Sequence, residues 1–191
     1  LRELPPKTEN VRRVELETEQ RKLYLAAVVD AREKLRAAKP EDKMTVFAVL
    51  MRLREICCDP RLVADNWTGS SAKLDACLEL VTEAVAGGHR ILLFSQFTSM
   101  LELLAKRLDE AGVSHFTLQG STPKPVRAEQ VRRFNQGEAD VFLISLRAGG
   151  TGLNLTAADI VIHYDPWWNL AAQNQATDRA YRIGQRNPVQ V

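Results

Sequence analysis

The chain has 191 residues, 45% of them apolar and 26% charged, with a formal net charge of +2. That length and balance fit one ordinary domain with a substantial core and exclude a disordered chain. Near-neutrality excludes a uniformly basic nucleic-acid binder, so any such site must be a local patch. No apolar run reaches the roughly 18 residues that a membrane helix needs.

Residues 1–17 read as extended, because Pro5-Pro6 bars a helix start and Val11, Val14 and Leu16 stand in a charged, strand-like stretch. No initiator Met and no signal-peptide pattern open the chain, which predicts that it begins inside a longer protein. Two amphipathic helices are predicted next. Thr18 is the expected N-cap of the first, with Leu25, Val28, Val29 and Leu35 at helical spacing before Pro40. The second carries Val46, Val49, Leu50, Leu53, Ile56 and Cys57 and stops at Asp59-Pro60. A polar loop over 61–71 then marks a boundary.

From residue 72 helices alternate with short apolar strands. A helix over 72–86 stops at Gly87-Gly88, and Ile91–Phe94 is a strand. A helix through Met100, Leu104 and Leu108 ends at Gly112, and His115–Leu118 is a strand. Thr122-Pro123 is the expected N-cap and first-turn pair of a helix through Phe134, closed by Gly137. Val141–Ile144 and Ile160–Tyr164 are further strands. A helix from near Asn169 to about Tyr181 and a strand at Pro188–Val191 complete the pattern. The alternation predicts an α/β fold, a doubly wound parallel sheet with helices on both faces and a small helical protrusion near the N-terminus. Ligands of such sheets bind outside the carboxyl ends of the strands.

The segments that follow those strands are the candidates for chemistry. Ser145–Asn154 holds Gly149, Gly150 and Gly152, where free backbone N–H groups can cradle an anion, or form only a strained turn. It is neither a P-loop nor a dinucleotide fingerprint. Arg179 and Arg182 are three apart and would share a helix face, where they could neutralise a phosphoryl group or simply sit at a solvated helix end. Lys124, Arg127, Arg132 and Arg133 against Glu129 could contact nucleic-acid phosphates, or form a solvated face. Trp167-Trp168 could stack on a base or pack in the core. Gln96 sets an amide at the same edge. Cys57, Cys58 and Cys77 form no C-x-x-C pair and predict reduced thiols; with His89, His115 and His163 scattered, no metal site is assigned.

Taken in order, the stretches ILLFSQFTSM (91–100), LQGSTPKPVRAEQVRRF (118–134), VFLISLRAGGTGLNLTAADIVIHYD (141–165) and WWNLAAQNQATDRAYRIGQ (167–185) resemble the C-terminal helicase lobe of the SNF2 family of superfamily 2. The resemblance covers nearly the whole chain, and its wording is closest to bacterial members. It implies a second RecA-like lobe over 67–191, a helical protrusion over 18–66 and an inter-lobe linker over 1–17. It implies that Arg179 and Arg182 are arginine fingers directed at ATP held by the first RecA-like lobe. Gly150, Thr151, Gly152, Asn154 and Gln175 would lie at the ATP cleft, in the family's motifs V and VI. Gln96, Lys124, Arg127, Arg147 and Trp168 would contact nucleic acid. ATP and Mg²⁺ are the implied cofactors, mainly bound by the first lobe. Duplex DNA, that lobe and a protein docked on the protrusion are the implied partners, with no membrane and a cytoplasmic location, nucleoid-associated if the protein is bacterial.

Leu170 stands where the family commonly has proline, and Tyr181 where histidine is common. No Walker A lysine and no D-E-x-H box occur, so the chain alone is expected to be inactive. An RNA-helicase lobe and a non-catalytic docking module are the alternative readings; an α/β cofactor enzyme fits the glycine spacing least.

Overall fold

In the computed structural model, residues 4–39, 42–148, 152–166 and 169–191 are described. They divide into two compact units, one made of the chain up to Arg12 with Leu78–Val191, the other of Arg13–Cys77. Gly149, Gly150, Thr151, Trp167 and Trp168, which the sequence singled out, lie outside the described residues, as does Pro40.

The larger unit is built on a six-stranded parallel sheet. Its strands are β1 (Lys7–Thr8), β2 (Ile91–Ser95), β3 (His115–Leu118), β4 (Val141–Ser145), β5 (Ile160–His163) and β6 (Val189–Gln190), ordered β1-β6-β5-β2-β4-β3. β2 and β4 are buried at every residue, as uninterrupted apolar runs in the middle of a parallel sheet should be. Side chains alternate across the sheet. Leu92, Phe94, Phe142 and Ile144 join one core cluster with Phe134 and Ala176, while Ile91, Leu93 and Leu143 are buried outside that cluster. Both faces are therefore covered. Phe142 sits at the centre of the cluster, tilted against Phe134 at 5.3 Å and edge-on to Phe116 at 6.0 Å.

Helices α3 (Ala72–Ala86), α4 (Thr98–Glu110), α5 (Lys124–Asn135) and α6 (Leu170–Thr177) connect the strands. Gly88 (φ +81°) and Gly137 (φ +91°) turn the chain out of α3 and α5 in a left-handed conformation that glycine adopts without strain. β2 and β4 are in direct register from Ile91–Val141 to Ser95–Ser145, so the carboxyl ends of the central strands are level. The segments that leave those ends are thereby brought side by side.

The smaller unit holds α1 (Thr18–Ala37), α2 (Lys43–Cys58) and a 3₁₀ turn (Pro60–Leu62). Gln20, fully buried, donates to the Ile56 carbonyl at 2.9 Å and accepts from the Ala72 N–H at 3.3 Å, so its amide satisfies two backbone groups. Asp59, also fully buried, caps the 3₁₀ turn at the Arg61 N–H and holds the Arg61 guanidinium at 2.7 Å. Among the described residues no helix is long and apolar enough to cross a membrane.

Local expectations differ from the structure in four places. Thr18 is the first helical residue and not the cap, which is Glu17 with no side-chain hydrogen bond. Thr122 does not cap α5 either: its hydroxyl accepts from the Gln119 N–H at 3.0 Å, inside the preceding turn. The apolar stripe expected to bury α1 and α2 is largely exposed at Leu25, Val29, Leu35, Val46 and Leu50. α1 and α2 face each other instead across smaller residues, Ala27 and Ala31 opposite Ala48 and Val49, around a cavity of about 260 Å³. The last helix stops at Thr177, four residues short of Tyr181.

Candidate ATP-cleft and nucleic-acid interface

Two groups of side chains gather at the carboxyl edge of the sheet. The first surrounds the ends of β2, β3 and β4. Ser95 and Ser145 end their strands buried, and each hydroxyl accepts a backbone N–H from the turn that follows: Phe97 at 3.1 Å and Ala148 at 3.1 Å. Asp165, past β5, accepts from the Gln96 N–H at 3.0 Å and fastens the two post-strand segments together. Between these turns lies a cleft of about 330 Å³ lined by Gln96, Thr98, Gln119, Gly120, Ser121, Ser145 and Arg147. Its walls are amides, hydroxyls and one guanidinium. A Cβ added at Gly120 would meet nothing within 4 Å, so the cleft is open there. Lys124, at the start of α5 beyond Ser121, is exposed. The lining has the donors that a phosphodiester backbone accepts from.

The second group is arginine-rich. Arg179 lies in the turn after α6, only 3% exposed, while Arg182 is exposed three residues on. The expectation that the two share a helix face is therefore corrected. Because α6 ends at Thr177, Arg179 stands in the turn closed by the Ala180 and Tyr181 N–H groups donating to the Thr177 carbonyl, and Arg182 opens the next, where its carbonyl accepts from the Gln185 N–H. Those turns face the segment downstream of the glycines. The Leu155 N–H donates to the Arg179 carbonyl at 3.0 Å, and Arg182 Nη1 donates to the Leu153 carbonyl at 3.4 Å. Upstream of the glycines, Arg127 of α5 donates from Nη1 to the Ala148 carbonyl at 3.3 Å. Burial first, then repulsion from Arg182 and Arg127, pushes the Arg179 guanidinium below the usual arginine range. Arg127 and Arg182 thus reach the two flanks of one segment, and both lie close enough to Arg179 to disfavour its charge.

The structure brings Arg127, Arg179, Arg182 and Asn154 together, and separately Gln96 and Arg147. Gln175 is exposed on α6, and Gly152 is exposed with nothing within 4 Å of an added Cβ. Three residues of this edge were not legible as site residues. Gln185 is buried and binds four backbone groups: Nε2 donates to the carbonyls of Ala158 and Ala180, and Oε1 accepts from the N–H groups of Arg186 and Asn187. Asn135 bridges to the Asn154 carbonyl, and Asp165 fastens Gln96. Asn135 ends a helix and Asp165 follows a strand, the only signals those two offer; Gln185 lies in the turns between α6 and β6. Among the described residues no group of three or more His, Cys, Asp and Glu side chains could hold a metal ion.

Comparison with known proteins gives this geometry a lineage. Residues 72–184 match the helicase conserved C-terminal domain family, and residues 1–62 match the SNF2-related domain. A putative ATP-dependent helicase/translocase of Bacillus subtilis is 40% identical over 98% of this chain and 21% of its own length. An uncharacterized ATP-dependent helicase of Mycoplasma pneumoniae is 37% identical over the whole chain and 18% of its own length. The chain thus spans about a fifth of the length of these curated relatives. The SWI2/SNF2 ATPase core of Sulfolobus solfataricus, solved in complex with dsDNA, is 30% identical and superposes with a TM-score of 0.84, covering 98% of this chain and 40% of that one. The sheet is the expected RecA-like lobe.

Proposed function

The chain belongs to the helicase conserved C-terminal domain family, as an SNF2-type C-terminal lobe, and on that premise we propose that it is the second motor lobe of an ATP-dependent double-stranded DNA translocase or remodeller. The observation that carries this reading is the buried Arg179 set beside Arg182 and Arg127 at the glycine-rich segment. Preorganised cations in a partly dry site stabilise charge that develops on a transferring phosphoryl group.

In this reading Arg182, exposed, reaches ATP held on the first RecA-like lobe. Arg179, held by its backbone bond to Leu155, supplies a second positive charge. Asn154, Gly152 and Gln175, with Gly150 and Thr151 by the family resemblance, are assigned to the same ATP. The residues present suit the phosphates of ATP, which supplies the phosphoryl group for hydrolysis. They do not suit Mg²⁺, since no carboxylate cluster stands among the described residues. The ligands of the metal would come from the first lobe. The isolated 191-residue chain accordingly does not turn over ATP.

The cleft of Gln96, Gly120, Ser121 and Arg147, with Lys124, contacts the DNA backbone, and Trp168 is assigned to the same contact by the family resemblance alone. Support comes from its hydroxyl and amide lining and from a neighbour solved with dsDNA. Residues 18–66 form the protrusion and 67–191 the lobe; 1–17 link the lobes, with Lys7–Thr8 added to the lobe's sheet as β1, and the motor works in the cytoplasm, on nucleoid DNA if the protein is bacterial. A second reading, a docking module, draws on the exposed Leu25, Val29, Met44 and Leu50 of the helical unit.

The test joins this chain to its upstream lobe and compares duplex DNA, single strands and RNA as stimulators of ATP turnover. Duplex DNA should stimulate most. Stimulation by RNA alone would point to an RNA-helicase lobe, and indifference to all three to the docking module.

A further inference from the structure

α5 touches both flanks of the glycine-rich stretch. Near its start, Arg127 donates to the Ala148 carbonyl at 3.3 Å. At its last residue, Asn135 Nδ2 donates to the Asn154 carbonyl at 2.8 Å, and Asn135 Oδ1 accepts from the Ala157 N–H at 3.3 Å. The two residues are about 12 Å apart along the helix axis. α5 is itself fixed to the sheet by Phe134, fully buried in the core cluster beside Asn135.

The two Asn135 bonds bracket Leu155. The Leu155 N–H is the group that donates to the Arg179 carbonyl, and the Leu153 carbonyl accepts from Arg182. A side chain on a rigid helix therefore fixes the short backbone segment on which both arginines rest. Both arginines lie beyond the end of α6, in the turns that follow it.

We infer that Asn135 is a positioning residue for the arginine pair: it holds residues 154–157 in the register that sets Arg179 and Arg182 for ATP held by the first lobe, with Arg127 bracing the opposite flank. The inference rests on the motor reading above. Asn135 touches no reacting atom. Its effect passes through the backbone of Asn154–Ala157, so it should appear in the chemical step and not in the capture of ATP. A misaimed guanidinium loses most where charge develops, in the transition state.

The experiment uses the two-lobed protein at saturating duplex DNA and measures kcat, KM for ATP and urea unfolding. Asn135→Ala should lower kcat by about threefold to tenfold, the factor that one net hydrogen bond represents, and leave KM within about twofold. Asn135→Asp keeps the acceptor for Ala157 but sets a carboxylate oxygen against the Asn154 carbonyl, so its kcat should fall at least as far as that of Asn135→Ala. It also carries the test if Asn135→Ala does not fold. Combined with Arg182→Lys, Asn135→Ala should cost less than the sum of the two single losses, because both act on one contact set. Additive losses, or an unchanged kcat in Asn135→Ala while Arg182→Lys is impaired, would overturn the positioning role alone. A wild-type protein with no DNA-stimulated turnover would overturn the motor reading and this inference with it.

Discussion

The Leu155 N–H donates to the backbone carbonyl of Arg179 at 3.0 Å, and this bond joins the segment after the glycines to the turn that bears the buried arginine. Arg179 is thus part of the packing as well as of the site, whereas Arg182 is exposed. Substituting them should have different consequences for stability. Arg182→Ala should change the unfolding free energy by no more than about 0.5 kcal/mol, as exposed substitutions do. Arg179→Ala should cost about 1–3 kcal/mol through the lost packing of its buried side chain. Urea unfolding of both variants checks this, and equal effects would contradict it.

The cleft at the ends of β2, β3 and β4 makes a prediction about salt. If Arg147 meets a DNA phosphate, Arg147→Ala should weaken duplex binding for all sequences alike. It should also reduce the slope of log K against log salt by about 1. Binding isotherms at several salt concentrations measure that slope. An unchanged slope would remove Arg147 from the interface.

His163 makes a prediction about pH. Its ring stacks on Phe94 at 5.7 Å, its Nε2 lies 3.0 Å from the Thr177 hydroxyl, and burial lowers its pKa from the ordinary 6.5, with the Glu9 charge opposing in part. The folded state therefore favours the neutral ring, and protons favour the unfolded chain. The contribution of His163 is fully present above pH about 6.5 and is lost as pH falls through the depressed folded value. Thermal unfolding between neutral and mildly acidic pH should show a shallower decline for His163→Gln than for the wild type.

Cys77 makes a prediction about reactivity. Burial pushes its thiol up to about 12, and Lys73 offsets this only in part. Little thiolate exists at neutral pH, so Cys77 in the native protein should resist a thiol reagent that modifies it readily after unfolding. Mapping the modified cysteines by mass spectrometry reads this directly.

Much of this fold was legible because its signals are local. The runs Ile91–Phe94 and Val141–Ile144 are too apolar and too short for anything but buried strands, and Gly88 and Gly137 mark true helix ends. What was not legible is set by tertiary partners. The alanines and glutamines after Asn169 contain no breaker before Gly184, so periodicity carries the helix on to Tyr181. Its actual end at Thr177 reflects His163 at the Thr177 hydroxyl and Leu155 at the Arg179 carbonyl, groups far away in sequence. Leu25 and Val29 lie at helical spacing, but spacing reports a stripe and not what covers it. At the site, the arginines stood out by type, while Asn135 and Gln185 act through backbone groups that no spacing reveals.

The most direct measurement is ATP turnover by this chain joined to its upstream lobe, with and without duplex DNA, beside the Arg182→Ala variant. The account predicts turnover stimulated by DNA and a fall on the order of 10³-fold or more in the variant. Turnover that ignores both the DNA and the loss of Arg182 would contradict it.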